Sequence, residues 1–357
     1  MRRPLSRRRR NARRIFILLI LLLSGTGLWW SASRFKDHVR SEKAQAQPDL
    51  IELRSGERML MGTTAEIVLF APDEETGRAA IDEAFNRAQE IKNICSDYSP
   101  ESELMRLCRE PVNQPVVVSE TLAEVLTHAR AMAEETAGAF DPTLGGCSKL
   151  WRKSKRRKEL PDPILLERAR QASGWEKFEV DLENLTVVIK HEDLLLDLGG
   201  IAKGYAADEM LRVINGRGIT SAMVAVAGDI RLGAPPPGRS TWAVGIRTLG
   251  SEVEQVIHVR NCAVSTSGDI ERFVEIADQR YSHIINPETG LGLTSRIAAT
   301  VVAPKAVLSD PLATFCCIRP EEALSLFTAG EISCRIVGLP GGPYDRRTQL
   351  FPDITLP

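Results

Sequence analysis

Asp310 and Thr314 carry oxygen atoms of the kind that bind Mg²⁺, and they lie four positions apart in the chain. On a helix this spacing places two side chains on one face, one turn apart. A carboxylate and a hydroxyl so placed suit a hard cation, which prefers oxygen ligands. The segment also permits a purely structural interpretation, in which Thr314 bonds to its own backbone. Pro311 would then occupy the first turn of a helix capped by Ser309 or Asp310.

The segment from Leu195 to Tyr205 combines a short apolar run, the pair Gly199-Gly200 and the start of an amphipathic pattern. This order is typical of a strand, a tight turn and a helix N-terminus. Free N–H groups and the positive end of the helix dipole make such a terminus suitable for phosphate. The spacing matches neither G-x-G-x-x-G nor the P-loop, so an ordinary strand–helix connection remains the alternative.

His283 lies at the end of a short apolar segment, just before a turn marked by Asn286-Pro287 and Thr289-Gly290. It is one of five histidines and a candidate general base or contact to a flavin or phosphate, with a turn-stabilising role as the alternative. The chain contains no G-x-S-x-G, no H-E-x-x-H and no Cys–His motif, so the usual hydrolase and zinc-enzyme classes lack support. Seven cysteines at irregular spacings indicate buried apolar residues rather than a disulfide framework.

Hydrophobic periodicity predicts three long helices and a larger number of short strands. The helices cover residues 75–94, 120–136 and 201–214, and Ser119 or Thr121 caps the second. The strands cover residues 61–69, 178–181, 187–190, 194–197, 222–226, 242–247, 256–259, 263–266 and 297–302. Strands and helices do not alternate strictly, so the fold class is α+β rather than a doubly wound sheet. The basic run 152–158 is interpreted as a solvated loop, with a partner site or, on an exported protein, contact with anionic lipid as the alternatives.

The first 14 residues carry eight arginines and no acid, which leaves −9 for the rest of a chain whose formal net charge is −1. The negative charge of this remaining part of the chain excludes the binding of nucleic acid over a broad surface. Residues 15–33 are uncharged and long enough to cross a bilayer, with Trp29 and Trp30 at the predicted far interface. The arginines predict export of the body, to the outer face of the cytoplasmic membrane or the periplasm. Arg13-Arg14 and the small residues 31–33 also resemble a cleavable twin-arginine signal, so anchor or cleaved signal stays open.

Eight short motifs occur in one order along the body: Met61-Gly62-Thr63, Ser96-Asp97-Tyr98-Ser99, Phe140-Asp141-Pro142-Thr143, the run from Asp197 to Tyr205, Ala227-Gly228-Asp229, Thr266-Ser267-Gly268-Asp269, His283 with the turn to Gly290, and Asp310 to Thr314. In this combination the chain resembles the ApbE family of FAD:protein FMN transferases over roughly residues 55–340. The resemblance implies an α+β fold of two intimate lobes around one FAD site. The predicted organisation is a signal or anchor segment (1–33), a linker (34–48), an ApbE-like domain (49–345) and a C-terminal tail (346–357).

The resemblance further implies a Mg²⁺-dependent reaction in which FMN passes from FAD to a threonine hydroxyl of an exported or membrane redox protein, with AMP as the leaving group. Carried over by motif, the metal ligands would be Asp310, Thr314 and the backbone carbonyl of Ala202. His283 would deprotonate the acceptor threonine. The other contacts would be to the adenosine half of FAD (Met61, Tyr98, Ala139, Phe140 and Asp141), to its pyrophosphate (Gly199 and Lys203) and to its flavin (Ile284).

The chain departs from the pattern of the resembled family at four positions without losing a proposed ligand or base. Ala227 stands where glycine is usual, Asn286 where aspartate is common, and Pro311 and Phe315 interrupt a segment that is usually rich in alanine. Two other functions remain open: an FAD pyrophosphatase that yields FMN and AMP, and a non-catalytic flavin-binding protein. No threonine acceptor motif of the family's type occurs in the chain, so the acceptor is expected to be another protein.

Overall fold

The computed structural model describes residues 50–247, 249–250, 252–253, 255–268, 273–327, 331–339 and 344–355. Residues Leu50–Pro357 form one compact unit. The predicted signal or anchor segment (1–33) and linker (34–48) lie outside the described residues, as does Asp269 of the sixth motif. Within the described part of the chain, no helix is both long and apolar enough to cross a bilayer. The predicted domain boundaries stay predictions.

Most strands of the described residues are short. In chain order they are β1 (Ile51–Arg54), β2 (Arg58–Leu60), β3 (Thr63–Ala71), β4 (Pro115–Val117), β5 (Phe178–Asp181), β6 (Thr186–Ile189), β7 (Ala222–Val226), β8 (Asp229–Leu232), β9 (Trp242–Ile246), β10 (Gln255–Val259), β11 (Ala263–Gly268), β12 (Phe273–Ile276), β13 (Gln279–Ser282), β14 (Ile297–Ala303), β15 (Ser333–Gly338), β16 (Tyr344–Arg347) and β17 (Ile354–Thr355).

The helices of the described residues vary from five to 22 residues in length. In chain order they are α1 (Glu74–Cys95), α2 (Glu103–Leu107), α3 (Glu120–Glu135), α4 (Gly145–Arg157), α5 (Pro163–Ala172), α6 (Ala202–Gly216), α7 (Ala306–Ile318) and α8 (Pro320–Leu326), with a 3₁₀ turn at Trp175–Lys177. The three long helices predicted from periodicity correspond to α1, α3 and α6. Ser119 accepts the N–H of Leu122 and so caps α3, as one of the two predicted alternatives.

Nine strands form one sheet in the order β1-β3-β7-β8-β11-β14-β15-β16, with β2 also paired to β3. All of these pairings are antiparallel. Three small sheets accompany it, in the orders β17-β10-β9, β12-β13 and β4-β6-β5. An antiparallel sheet with separate helices is the α+β arrangement, so the predicted fold class is confirmed.

The nine-stranded sheet separates two layers of apolar packing. On β3, Ile67 and Leu69 belong to the large core beneath the helices, whereas Val68 packs with Trp242 and Ile257 of the small sheet. Successive residues of a strand point to opposite faces, so the alternation on β3 serves both layers at once. Strand β14 is buried along its whole length, which identifies it as an interior strand covered on both faces.

The predicted strand at residues 194–197 is wrong. Leu195 forms only an isolated parallel bridge with Leu144, and the segment is otherwise irregular. Two of its backbone hydrogen bonds join it to the start of α4 and the turn before it: Gly145 N–H donates to the Leu195 carbonyl, and Asp197 N–H donates to the Pro142 carbonyl. The segment is apolar because it is buried in the core, which periodicity alone does not distinguish from pairing in a sheet.

The predicted solvated loop at 152–158 is also wrong, since residues up to Arg157 belong to α4. The predicted helix start near Pro311 is wrong as well: α7 begins at Ala306, and Pro311 lies inside it. The helix begins earlier because Asp208 of α6 accepts the N–H groups of Ala306 and Val307, at 3.1 and 2.9 Å. A carboxylate from another helix thus caps α7, and neither Ser309 nor Asp310 does so.

Candidate active site

Lys203 lies between two buried carboxylates at the junction of α6, β8 and α7. Its Nζ is 2.8 Å from Asp229 Oδ2 and 3.0 Å from Asp310 Oδ2. The N–H of Gly204 also donates to Asp310 Oδ2, at 3.2 Å. Asp229 is 4% exposed and Asp310 is 3% exposed. We call Lys203, Asp229 and Asp310 the lysine cluster.

Two local features bring α6 and α7 close enough to form the lysine cluster. At Gly204, a Cβ atom would lie 2.1 Å from the carbonyl oxygen of Ala306, so only glycine permits this crossing of the backbones. One turn further along α6, Asp208 caps α7 and also accepts a hydrogen bond from Arg231 of β8, at 2.7 Å. The close crossing at Gly204 and the cap by Asp208 together fix the position of α7 along α6, and so place Asp310 beside Lys203.

The lysine cluster holds one ammonium between two carboxylates. Burial, followed by the charge of Asp229, raises the pKa of Asp310 to about 6. Burial opposes the charged form of Lys203, but Asp229 and Asp310 outweigh it and raise the pKa of Lys203 above its ordinary value. With both carboxylates ionised the cluster has an excess of one negative charge, which favours a further cation nearby.

Thr314 lies one turn beyond Asp310 on α7, as the sequence spacing requires. Its Oγ1 is 3.4 Å from Ser267 Oγ of β11. A Cβ atom on Gly200 would lie 3.2 Å from the ring of Phe140 and 3.9 Å from Thr314 Oγ1. The glycine turn before α6 therefore lies between the Phe140 ring and the Thr314 hydroxyl.

The donor set at this junction fits Mg²⁺ by its chemistry. Asp310 and Thr314 offer a carboxylate and a hydroxyl, and the excess negative charge of the lysine cluster suits a hard cation. Ala202, whose backbone carbonyl is the third ligand that the family resemblance implies, is the first residue of α6 and precedes Lys203 directly. The described residues contain no group of three or more histidine, cysteine or acidic side chains arranged for a metal, so a cation here would depend on mixed ligands.

A second charged group lies around Arg152 of α4. Its Nη2 is 2.5 Å from Asp97 Oδ2 and 3.2 Å from Asp197 Oδ2. Its guanidinium carbon lies 4.0 Å from the centre of the Tyr98 ring, whose residue is 76% exposed. Burial, followed by the charge of Asp197, raises the pKa of Asp97 to about 6. We call Arg152, Asp97 and Asp197 the arginine cluster.

The arginine cluster connects two residues that the family resemblance assigns to different parts of a ligand. Tyr98, a predicted adenosine contact, stacks on Arg152. Gly199, a predicted pyrophosphate contact, donates its N–H to Asp197 Oδ1 at 2.8 Å. Arg152 thus couples the Tyr98 turn to the glycine turn before α6.

The other predicted adenosine contacts lie in two turns. Ala139 and Phe140 are buried, and Asp141 Oδ1 accepts hydrogen bonds from the backbone and hydroxyl of Thr143. Burial raises the pKa of Asp141. Met61 has a positive φ of 51° in the turn between β2 and β3, and its side chain packs on the large core.

His283 and Ile284 follow β13 directly. His283 is exposed, whereas Ile284 is buried in the large core. The residue before them, Ser282, accepts a hydrogen bond from the Trp151 indole at 3.2 Å. Helix α4 therefore supports the segment that carries His283.

Sequence reasoning missed three residues of this region. Asp229 was noted in a motif, but its salt bridge to Lys203 was not predicted, because the two residues belong to different elements. Arg152 was merged with the basic run around it, although it is the member of that run that faces Asp97 and Asp197. Asp208 gave no local signal beyond being a carboxylate on a largely buried helix.

Comparison with known proteins identifies the family of the chain. A model of the ApbE family matches residues 61–336. A relative from Treponema pallidum named FAD:protein FMN transferase is 31% identical over 327 residues, which cover 85% of each chain. One of the same name from Vibrio cholerae is 30% identical over 272 residues, covering 73% of this chain and 80% of the relative. The predicted enzyme class, transferase, is confirmed by these relatives.

Solved structures show the same fold. The flavin transferase ApbE from Vibrio cholerae aligns with a TM-score of 0.74 at 26% identity, covering 84% of this chain and 97% of that one. The ApbE protein of Thermotoga maritima aligns with a TM-score of 0.73 at 27% identity, with the same coverage of both chains. By its family match, its relatives and its fold, the chain belongs to the ApbE family.

Proposed function

We propose that this chain catalyses the Mg²⁺-dependent transfer of FMN from FAD to a threonine hydroxyl of an exported or membrane-bound redox protein, releasing AMP. The names of its curated relatives support FAD as the donor and a protein as the acceptor. The observation in the chain that carries the proposal is the lysine cluster beside the glycine turn before α6. A helix N-terminus, an ammonium and oxygen ligands for a cation converge there, and transfer from a pyrophosphate needs all three.

The residues of this junction divide the work on the pyrophosphate. Mg²⁺, held by Asp310, Thr314 and the carbonyl of Ala202, would neutralise the negative charge that develops on the phosphate oxygens. Lys203 and the N-terminal N–H groups of α6 would hold the pyrophosphate in place before the reaction. Gly200 leaves room for close approach, since its missing side chain would otherwise fill the space between Phe140 and Thr314.

The bond changes balance without a further reactant. The acceptor threonine oxygen attacks the phosphorus of the FMN half, and the bond from that phosphorus to the bridging oxygen breaks. AMP leaves with the bridging oxygen. His283 takes the proton of the threonine hydroxyl, which is a poor nucleophile until it is deprotonated. The exposure of His283 suits this role, because the acceptor is a second protein that must reach it.

The opposite end of FAD would lie against the turns that carry Tyr98 and Asp141. The Tyr98 ring is exposed on one side and stacked on Arg152 on the other, which suits it to pack against an adenine. Ala139 and Phe140 would line the same half of the ligand, with Met61 of the β2–β3 turn beside them. Ile284 would lie along the flavin.

The test measures AMP release by the full chain with FAD and Mg²⁺, with and without a threonine-bearing fragment of a redox protein. Covalent flavin on the fragment is read from its fluorescence after denaturation. We expect AMP release that depends on the fragment and is lost in Asp310→Ala and His283→Ala. The matched control is His258→Ala, an exposed histidine on β10.

Two outcomes would contradict the proposal in different ways. Equal AMP release with and without the fragment would identify an FAD pyrophosphatase, in which water replaces the threonine. Bound FAD with no AMP under either condition would identify a non-catalytic flavin-binding protein.

A further inference from the structure

The tip of the α4–α5 hairpin, residues 149–165, combines dense positive charge with exposed aliphatic side chains. The segment contains seven lysines or arginines against two acidic residues, in a chain that is otherwise acidic. Its exposed cations lie on α4 and just past its end: Lys149, Lys153, Arg156, Arg157 and Lys158. Helix α4 itself contains no acidic residue.

Three large apolar side chains lie beside these cations without a covering element. Ile164 is 79% exposed, and Leu160 and Leu165 are each 48% exposed. All three lie within six positions of the chain. A single exposed apolar residue is ordinary on a protein surface, but a group of them indicates an interaction site. Helix α5 buries only Ala172 fully, so its first turn contributes little to the core.

The backbone at the tip is well defined. Lys158 adopts a left-handed conformation with a φ of 57°, which ends α4 and reverses the chain. Asp162 then accepts the N–H groups of Ile164 and Leu165, at 2.9 and 3.0 Å, and so caps α5. This cap fixes the backbone from which Ile164 projects, so the exposed aliphatic group belongs to a fixed turn.

We propose that the α4–α5 tip binds the surface of an anionic lipid bilayer, with Leu160, Ile164 and Leu165 entering the headgroup region. Cations beside aliphatic side chains are the two signals that interfacial membrane binding combines. Each lysine or arginine near an anionic surface contributes to that binding, and the long side chains of both can reach the headgroups.

A bilayer fits this surface better than an acidic protein does. Protein interfaces are enriched in aromatic residues and depleted of lysine at their centres. The only aromatic residue of the segment is Trp151, which is buried against the segment before His283. The exposed surface is mainly cationic and aliphatic, with Glu159 and Asp162 as its two exposed acids, and it lies in a turn between two helices rather than in a groove.

The hairpin that ends in this tip also supports the segment that carries His283. Trp151 of α4 bonds to the Ser282 carbonyl, directly before His283. From α5, Leu166 and Arg170 pack on Gly290, where a Cβ atom would lie 2.8 and 3.1 Å from them. Docking at the tip would therefore hold the segment from His283 to Gly290 near the membrane, which, resting on the proposed function, suits an acceptor threonine on a membrane protein.

The experiment uses the full chain carrying Ile164→Trp, mixed with phosphatidylcholine vesicles that contain or lack phosphatidylglycerol. The tryptophan fluorescence of the parent chain is subtracted, so that the difference reports position 164. Quenching by brominated acyl chains measures how deeply this tryptophan enters the bilayer. We expect a blue shift and quenching only with phosphatidylglycerol, reversed by added salt. Because the readout is local to position 164, binding through any other segment does not produce it.

Two variants complete the test. A second chain carries Ile164→Trp and glutamine in place of Arg156, Arg157 and Lys158. The lipid concentration that gives half of the phosphatidylglycerol-dependent quenching should rise by roughly 100-fold, at about fivefold per cation. Leu350→Trp, at an exposed apolar position elsewhere, is the control and should stay solvent-like. Emission of Ile164→Trp that is identical in both vesicle types, or that changes only when an acidic acceptor protein is added, would overturn the proposal. Neither result bears on AMP release measured without lipid, so failure of the proposed function is seen separately.

Discussion

The lysine cluster and the arginine cluster hold the same set of charges, one cation between two aspartates, in different surroundings. Lys203 joins α6 to β8 and α7 beneath the surface, and both of its carboxylates are almost fully buried. Arg152 joins α4 to the turns at Asp97 and Asp197, and an exposed tyrosine lies over it. In each cluster burial and the second carboxylate raise the pKa of one aspartate to about 6.

The difference teaches what each cation is suited to do. A lysine ammonium is a compact charge on a flexible stem, so it suits the proposed role, in which it would turn from its carboxylates toward a phosphate. An arginine guanidinium is planar, and it can bond to two carboxylates while an aromatic ring stacks on its face. The lysine cluster is therefore built for exchange of partners, and the arginine cluster for fixed positioning of the Tyr98 and Gly199 turns.

The largest expected effect is on activity, from Asp310→Asn. Asp310 is a proposed metal ligand, and losing such a ligand costs several kcal/mol of transition-state stabilisation, so AMP release with acceptor should fall about 100-fold or more. The measurement is the initial rate of AMP release at saturating FAD. Asp193→Asn, which removes an exposed carboxylate paired to Arg168, is the control and should leave the rate unchanged. An Asp310→Asn rate within threefold of the parent would assign the lysine cluster a purely structural role.

The next effect is on stability, from Arg152→Ala. It leaves Asp97 and Asp197 partly buried without their cation, so the free energy of unfolding should fall by about 1–3 kcal/mol. Arg152→Lys should recover only part of the lost stability. An ammonium lacks the planar group that bonds to both carboxylates and at the same time stacks on the Tyr98 ring. Urea unfolding measures both variants, with Lys153→Ala as the exposed neighbour for comparison. Full recovery by lysine would show that charge alone matters at this position.

A third effect concerns pH and the raised pKa of Asp97. Since its pKa rises from 3.8 when unfolded to about 6 when folded, the folded state keeps a proton that the unfolded state loses between those values. Asp97 therefore lowers the free energy of unfolding as pH rises through this window, by at most about 1.4 kcal/mol per pH unit. In Asp97→Asn this decline should disappear, as urea unfolding at several pH values will show. An unchanged slope would mean that other groups set it.

The smallest expected effect has the opposite sign and comes from Ala227→Gly. Ala227 has a positive φ of 55° in the turn that leads to Asp229, and glycine adopts this conformation without strain. The substitution should raise the free energy of unfolding by about 0.5–1 kcal/mol. Ala225→Gly, in extended conformation on β7, is the matched control and should lower it. Thermal or urea unfolding of both variants decides, and a loss of stability in Ala227→Gly would refute the argument from strain.

The sequence allowed prediction of features that depend on local pattern. Helices α1, α3 and α6 follow from apolar spacing, and the irregular order of elements indicated the α+β class. The contact of Lys203 with Asp310 was not predicted, since 107 positions separate them and the family resemblance implied only that Ala202 and Asp310 share a metal ion. That distance lies beyond the reach of any periodicity.

The features that escaped prediction depend on partners from distant elements. The preference of proline for the first turn predicts a helix start near Pro311. The helix begins earlier, at Ala306, because Asp208 of α6 supplies its cap, and a cap from another helix leaves no local signal. The pattern does not distinguish Arg152 from the other cations of the basic run. The two carboxylates that pair with it, Asp97 and Asp197, lie in turns 55 and 45 positions away. Leu195 was assigned to a strand, because burial and sheet pairing produce the same apolar run.

Gly204 shows how the absence of an atom can set the dimensions of a site. The backbone of α6 lies against the Ala306 carbonyl at this residue, so the spacing of α6 and α7 cannot be adjusted by mutation without separating Lys203 from Asp310. The turns around Tyr98 and Asp141, where the proposed contacts to the adenosine half of FAD lie, are under no such constraint. Substitutions there can therefore alter the proposed ligand contacts without rebuilding the junction between α6 and α7, whereas position 204 should tolerate almost no substitution.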